Sequence, residues 1–301
     1  MKRFPAALFL AALWLPAQEN SPLRVLPVQG SVYLLYGPVS NATIQVGKDG
    51  VLLVDTMSDA LAPQITAEIK KLSSLPVRYI IDTSLTADHI GGNAALQKAG
   101  APGASVPDGG GATLIAHQNV LNHLTQPVTG NQTPPAQAGL PNDEYDTPTK
   151  DFYFNGEPVI VFHEPKAHTD GDSIVLFRRS DVISVGDIFT PDRYPEIDLE
   201  HGGSVTGLIA ALNHLLHLTV PEHLQDGGTR VIPGHGRLCN EADVVEYRDM
   251  VTIVRDRVLD SVKKGKTLEE VKAAKLTRDY DTQYGPGDRF VEVVYKSLST
   301  K

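Results

Sequence analysis

Beyond position 22 the chain opens with short apolar, β-branched runs at residues 23–26, 31–36, 42–46 and 51–55, separated by Gly30, Gly37 and a turn at 47–50. Turn residues between short β-rich runs predict a meander of antiparallel strands. The period then changes. Leu61, Ile65, Ile69 and Leu72 recur every three or four positions, which predicts an amphipathic helix over 60–72. Residues 77–81 read as a buried strand that ends directly at the polar stretch 82–89. A short helix at 94–99, a strand at 113–116 and a helix at 118–124 follow. Residues 125–150 are rich in Pro, Thr, Gln and Asn and predict a solvated connection. Strands resume at 151–154, 158–163, 173–177 and 182–185, then a helix at 205–218 with Leu208, Leu212, Leu215 and Leu216 on one side. A short strand at 229–232 and helices at 241–259, 268–274 and 289–298 complete the pattern. Strands, helix, strand and loop thus occur twice. That order predicts an α/β architecture of two mixed sheets packed face to face with helices outside, a four-layer sandwich in one domain.

The N-terminus departs from this pattern. Lys2 and Arg3 precede an apolar run to Pro16, and Ala17 precedes a polar switch. These features predict a secretory signal peptide over 1–17, a mature domain over 18–301, and a periplasmic or secreted protein. The run is shorter than the roughly 20 apolar residues of a membrane span, and Pro5 and Pro16 disfavour a stable helix there. A single cysteine, Cys239, leaves no intrachain disulfide even in an oxidising compartment. The formal charge is −9, with 27 basic and 36 acidic residues and no basic cluster. That balance argues against nucleic acid or anionic lipid as partner; the expected partner is a small-molecule substrate, about which charge says nothing. The chain carries no Gly-rich phosphate loop with Lys, no Gly-x-Ser-x-Gly elbow and no Cys-x-x-Cys, which disfavours nucleotide, serine-hydrolase and thiol-redox chemistry.

Four loops at predicted strand ends carry the candidate chemistry. The first, residues 82–93, contains Asp88 and His89 and continues into Gly91-Gly92-Asn93. The second contains His168 in Ala-His-Thr-Asp-Gly-Asp, the third Asp187 in Val-Gly-Asp, and the fourth His235 in Pro-Gly-His-Gly. Taken singly, each has an ordinary explanation, since an Asp after a strand commonly caps or turns the chain. Their joint occurrence, each after a β run, points to a metal site, because imidazole and carboxylate are ligands of zinc and its neighbours.

With these residues in view, the chain resembles the metallo-β-lactamase superfamily across its mature length. That family's His-x-His-x-Asp-His loop aligns with Ser84-Leu85-Thr86-Ala87-Asp88-His89, and its later ligands with His168, Asp187 and His235. Residues 194–198 and Gly202-Gly203-Ser204 are also similar to the stretch after the family's bridging Asp. The resemblance implies an αβ/βα fold and hydrolysis of an ester, amide, lactone or similar bond by a metal-activated water. It implies that Asp88, His89 and His235 hold the second metal and that Asp187 reaches both, while His168 belongs to the first. Ser84 and Thr86 stand where the first metal's other two histidines would be, and hydroxyls are poor substitutes for imidazole. The expectation is therefore one ion, zinc or another divalent metal, in the second position. Asp88 and His168 are the candidate catalytic residues, His168 as hydrogen-bond donor or general acid/base, with Ser84 and Thr86 available to hold a water or a substrate oxygen. A non-catalytic binding module on the same fold is the alternative. A third reading rebuilds the first site from His117, His168 and water. Cys239, four residues after His235, is a weaker candidate ligand, and the paired His214 and His217 read as a solvated helix face.

Overall fold

The computed structural model describes residues 23–108, 110–126, 139–224 and 227–299. Residues 1–17, expected above to be a signal peptide, and the middle of the 125–150 connection lie outside the described residues. The first meander forms as its turn residues predict. Strands β1 (Arg24–Gln29), β2 (Val32–Tyr36), β3 (Asn41–Gly47) and β4 (Gly50–Val54) pair antiparallel in sequence order. Helix α1 (Ala62–Leu72) then crosses over, so β5 (Val77–Ile81) returns parallel to β4. A parallel return needs such a crossover, because a tight turn reverses the chain. The single turn α2 (Ala87–Ile90) and α3 (Asn93–Ala99) lead to β6 (Thr113–Ile115), again parallel, at the edge of a six-stranded sheet.

Helix α4 (Gln118–Leu124) and the 125–150 connection lead to the second sheet. There β7 (Thr149–Phe154), β8 (Glu157–Glu164), β9 (Asp172–Phe177) and β10 (Val182–Ser184) form a second antiparallel meander. Helix α5 (Val205–Leu218) crosses over, and β11 (Arg230–Ile232) pairs parallel with β10. The chain finishes in α6 (Glu241–Lys263), α7 (Leu268–Ala273), α8 (Asp281–Tyr284) and α9 (Asp288–Ser299). One-turn helices such as α2 and α8 are too short to show a 3.6-residue period, which is why the sequence pattern misses them.

Three apolar clusters build the layers. One, including Leu34, Val54, Ile81, Val175, Phe177 and Val182, fills the space between the sheets. A second seats α1 and α3 on the first sheet, and a third seats α5, α6 and α9 on the second. Central strands β4 and β9 are consequently buried at every residue, as expected of strands covered on both faces. The result is the four-layer αβ/βα sandwich. Polar contacts also cross between the sheets. Thr43 Oγ1 donates to Ser184 Oγ at 3.0 Å, and Gln45 Nε2 donates to the buried Glu157 Oε1 at 2.7 Å. Asn41 ties β3 to the loop after β11, its backbone N–H donating to Gly234 O and its side chain to Pro233 O and Gly236 O. Among the described residues, no helix is long and apolar enough to cross a membrane.

Candidate metal centre

The four loops converge at one edge of the sandwich. After β5 the chain runs through Asp82 and Thr83, and Thr86 adopts extended geometry before the turn α2, which carries Asp88 and His89. Thr56 N–H donates to His89 O at 2.7 Å, which fastens that turn to the end of β4. In the loop between β8 and β9, Asp172 accepts from Thr169 N (2.7 Å) and Thr169 Oγ1 (2.6 Å), fixing the turn beside His168. Asp187 follows β10 in a single 3₁₀ turn, Gly186–Ile188. Gly186 has φ +51, and a Cβ there would lie 2.2 Å from Thr83 Oγ1, so only glycine fits. Gly234, beside His235, lets its N–H reach Gly186 O at 2.8 Å.

Asp187 is the hub. Its Oδ1 lies 3.2 Å from His89 Nε2 and 3.1 Å from His235 Nε2, and His235 Nε2 is 3.2 Å from Asp88 Oδ2. Donor atoms of Asp88, His89 and His235 all lie within 4.8 Å of one another. Donors on a tetrahedron with bonds of about 2.1 Å sit about 3.4 Å apart, so this set fits a divalent cation with little movement. His89 is fully buried and its Nδ1 lies 2.7 Å from Asp55 Oδ2. Asp55 also accepts from Thr83 N and Thr83 Oγ1 at 2.8 and 2.6 Å. A carboxylate behind an imidazole fixes its tautomer and points the other nitrogen at the metal. Burial works against the His89 imidazolium, yet Asp187 and Asp55 outweigh it and raise its pKa well above the usual value. His235 is also raised, with burial opposed by its hydrogen bonds to the Asp187 and Asp88 carboxylates. Burial works against the Asp187 carboxylate too, but His89 and His235 hold it well below the usual range. The carboxylates around these two imidazoles thus favour positive charge at the place a cation would take.

The other side of Asp187 is different. Its Oδ2 accepts from Thr86 Oγ1 at 3.3 Å, and Ser84 Oγ lies 3.4 Å from Thr86 Oγ1. His168 Nδ1 is 3.7 Å from Asp187 Oδ2 and 3.8 Å from Asp172 Oδ1, too far for hydrogen bonds. This nitrogen is buried with no hydrogen-bond partner among the described residues. The donor set here is two neutral hydroxyls, one imidazole and the shared Asp187 carboxylate, only two of them ordinary zinc ligands, which is a poor fit to a second zinc. Thr86 and His168 instead line a cavity of about 620 Å³.

The model of the metallo-beta-lactamase superfamily matches residues 35–235, ending on His235. The chain belongs to the metallo-beta-lactamase superfamily. No curated protein sequence matches it. Among solved structures it is similar to the inverting sec-alkylsulfatase Pisa1 from Pseudomonas sp., with 17% identity, 91% of this chain and 50% of that chain covered, and TM-score 0.66. It is also similar to a metallo-beta-lactamase from Pontibacter korlensis, with 16% identity, 76% and 99% covered, and TM-score 0.57. The BLEG-1 B3 metallo-beta-lactamase shares 21% identity, with 76% and 99% covered and TM-score 0.55. The chain therefore spans half the length of the alkylsulfatase. At such identities these structures share the fold of this superfamily member and carry no substrate across to it.

The remaining histidines stay out of the metal centre. His117 caps α4, accepting from Asn119 N at 3.2 Å, and stacks on His163 with ring centroids 3.5 Å apart. Burial and His163 lower its pKa to about 4. The structure therefore gives it a capping role in place of the substitute ligand considered above. His214 Nδ1 lies 2.5 Å from Glu164 Oε1, so it is a buried-face partner of β8 and not a purely solvated residue. Cys239 is buried and donates to Arg237 O at 3.3 Å; burial pushes its thiol up, which makes it a poor ligand. Asp55 is the functional residue that sequence reasoning missed. Its signal was present: like Asp187, it directly follows a buried β run. Its φ of +61 puts a non-glycine residue in the left-handed region, strain of the kind that collects at functional sites.

Proposed function

We propose that this superfamily member is an exported metal-dependent hydrolase with one divalent ion, zinc or a similar metal, held by Asp88, His89, Asp187 and His235. The observation that carries the reading is the convergence of His89 and His235 on Asp187, with Asp88 against His235, beside a cavity lined by Thr86 and His168. An ion held there supplies Lewis acidity and makes water a nucleophile near neutral pH. The chain's own residues do the rest. Asp55 holds the His89 ring in one tautomer. Asp187 accepts from Thr86, which keeps that hydroxyl oriented at the cavity floor. His168 lines the cavity and is the group assigned here to donate to a substrate oxygen or to pass a proton to the leaving group, its Nδ1 being buried beside Asp187 and Asp172 without a hydrogen bond. The bond cleaved is an ester, amide, lactone or similar bond. Export is supported by Lys2, Arg3 and the apolar run before Ala17.

The test is elemental analysis of zinc-refolded protein, followed by assays on carboxylate esters, a lactone, a β-lactam and an alkyl sulfate. One metal per chain and turnover abolished in Asp187→Ala are expected; absence of bound metal would sink the reading. The hydroxyls at 84 and 86 support one alternative, a binding module that kept the fold without turnover. Ligand binding that survives a combined Asp88→Ala and His235→Ala change, with no hydrolysis by either protein, favours it.

A further inference from the structure

The cavity that shares Thr86 and His168 with the metal centre is also lined by elements beyond the region matched by the superfamily model, which ends at residue 235. Tyr284 of α8 and Phe290 and Val293 of α9 line it, facing Tyr194, Ile197 and Leu199 of the loop after Asp187. The wall is pre-formed. Tyr194 stacks on Phe290 with centroids 5.3 Å apart and an interplanar angle of 16°, and it packs on Tyr284 at 5.5 Å. Tyr194 Oη donates to Asp281 Oδ1 and Thr277 O, which ties the loop to the segment before α8. Ser297 Oγ accepts from Val205 N at 3.1 Å, holding α9 against the start of α5.

The rim carries charge, but that charge is largely matched internally. Asp198 is paired with His201 at 2.7 Å and Glu292 with Lys296 at 2.8 Å and Lys272 at 3.0 Å, while Glu196 lies 4.0 Å from Arg289. Arg193 and Glu200 add one charge of each sign. The charged lining residues are three cations and four anions, so an anionic substrate would meet a weakly repulsive rim and its own desolvation would go uncompensated. An apolar group meets aromatic and branched side chains at a cost already met by folding.

We propose that α8, α9 and the 190–200 loop form a selectivity pocket for the uncharged hydrophobic part of the substrate, so that the enzyme prefers esters with a bulky apolar acyl or alkyl group. The assignment rests on the hydrolase reading above, and the test separates the two. Zinc-loaded full chain is assayed on p-nitrophenyl acetate, butyrate and hexanoate and on the anionic p-nitrophenyl hemisuccinate. The kcat/KM should rise up to about fourfold per added methylene, the upper value for full burial, and the hemisuccinate should fall below the butyrate. Val293→Glu, and separately Leu199→Asp, should flatten that rise, both being half-buried wall positions open to substitution. Binding of 4-phenylbutan-1-ol, followed by saturation-transfer NMR, reads the pocket without turnover and should weaken at least tenfold in either variant. Alcohol binding of this kind with no ester cleaved keeps the pocket and removes the hydrolase. Turnover that is flat in acyl length, or alcohol binding unchanged in both folded variants, overturns the pocket.

Discussion

The two sides of Asp187 make a controlled comparison within one site. On one side Oδ1 meets His89 and His235, with Asp88 close by and Asp55 behind His89. On the other Oδ2 meets Thr86, with Ser84 and His168 near it and a cavity beyond. Both sides hang from the same loop after β5 and the same carboxylate. They differ in donor type and in support. The first side keeps nitrogen and carboxylate donors, and a buried carboxylate orients one of the rings. The second has neutral hydroxyls and an imidazole whose Nδ1 nothing satisfies. On the one-metal reading proposed above, hydroxyls in place of imidazoles remove a metal position while leaving its space available to substrate.

The largest effect should come from breaking the first side. His235→Ala or Asp187→Ala should lose bound metal and turnover together, by at least about 100-fold, because loss of an orienting partner alone costs about 10–100-fold. Elemental analysis and kinetics on the same preparation check this, and retained metal in either variant would contradict the assignment. Breaking the second side should separate the two readouts. His168→Gln should leave metal stoichiometry unchanged while kcat falls by about 100-fold, the lower range for a lost acid/base group. A loss of metal in that variant would mean the two sides are one site.

Asp55→Asn keeps the shape but removes the charge behind His89. Metal affinity should fall by about 10–100-fold, measured by competition with a chromophoric chelator. Ser84→His combined with Thr86→His should convert the second side toward the first, raising the metal content from one toward two per chain. Ser84 is fully buried, so a lower melting temperature should accompany the gain. The gentlest test is pH. His89 and His235 both have raised pKa values without a cation, so protons compete with metal below those values. Apparent affinity should therefore rise with pH, by about tenfold per unit for each proton displaced. Calorimetry in two buffers of different ionisation enthalpy should show proton release on the first side, and a flat profile would place the metal elsewhere.

Much of this was legible in the letters. The strand and helix runs appear within a few residues of their expected places because period-2 and period-3.6 patterns report which face is buried. The candidate ligands His89, Asp187 and His235 were legible because each sits beside strand ends and glycines in a recurring setting. Asp55 was not, since one aspartate after a strand looks like any turn residue until its distance to His89 is known. His117 and His214 were underdetermined for the same reason: stacking and pairing partners lie far away in sequence.

The sequence by itself determined the layered architecture, the chemical type of each candidate ligand and the change at positions 84 and 86. Those are local properties, set by side-chain chemistry and periodicity. Only the tertiary structure decided that one carboxylate faces both sides, that Asp55 backs His89, that His168 keeps an unpaired nitrogen, and that α8 and α9 wall the cavity beside it. Each of those depends on residues tens to more than a hundred positions apart, brought together by the packing of two sheets and their helices, which a linear pattern does not encode.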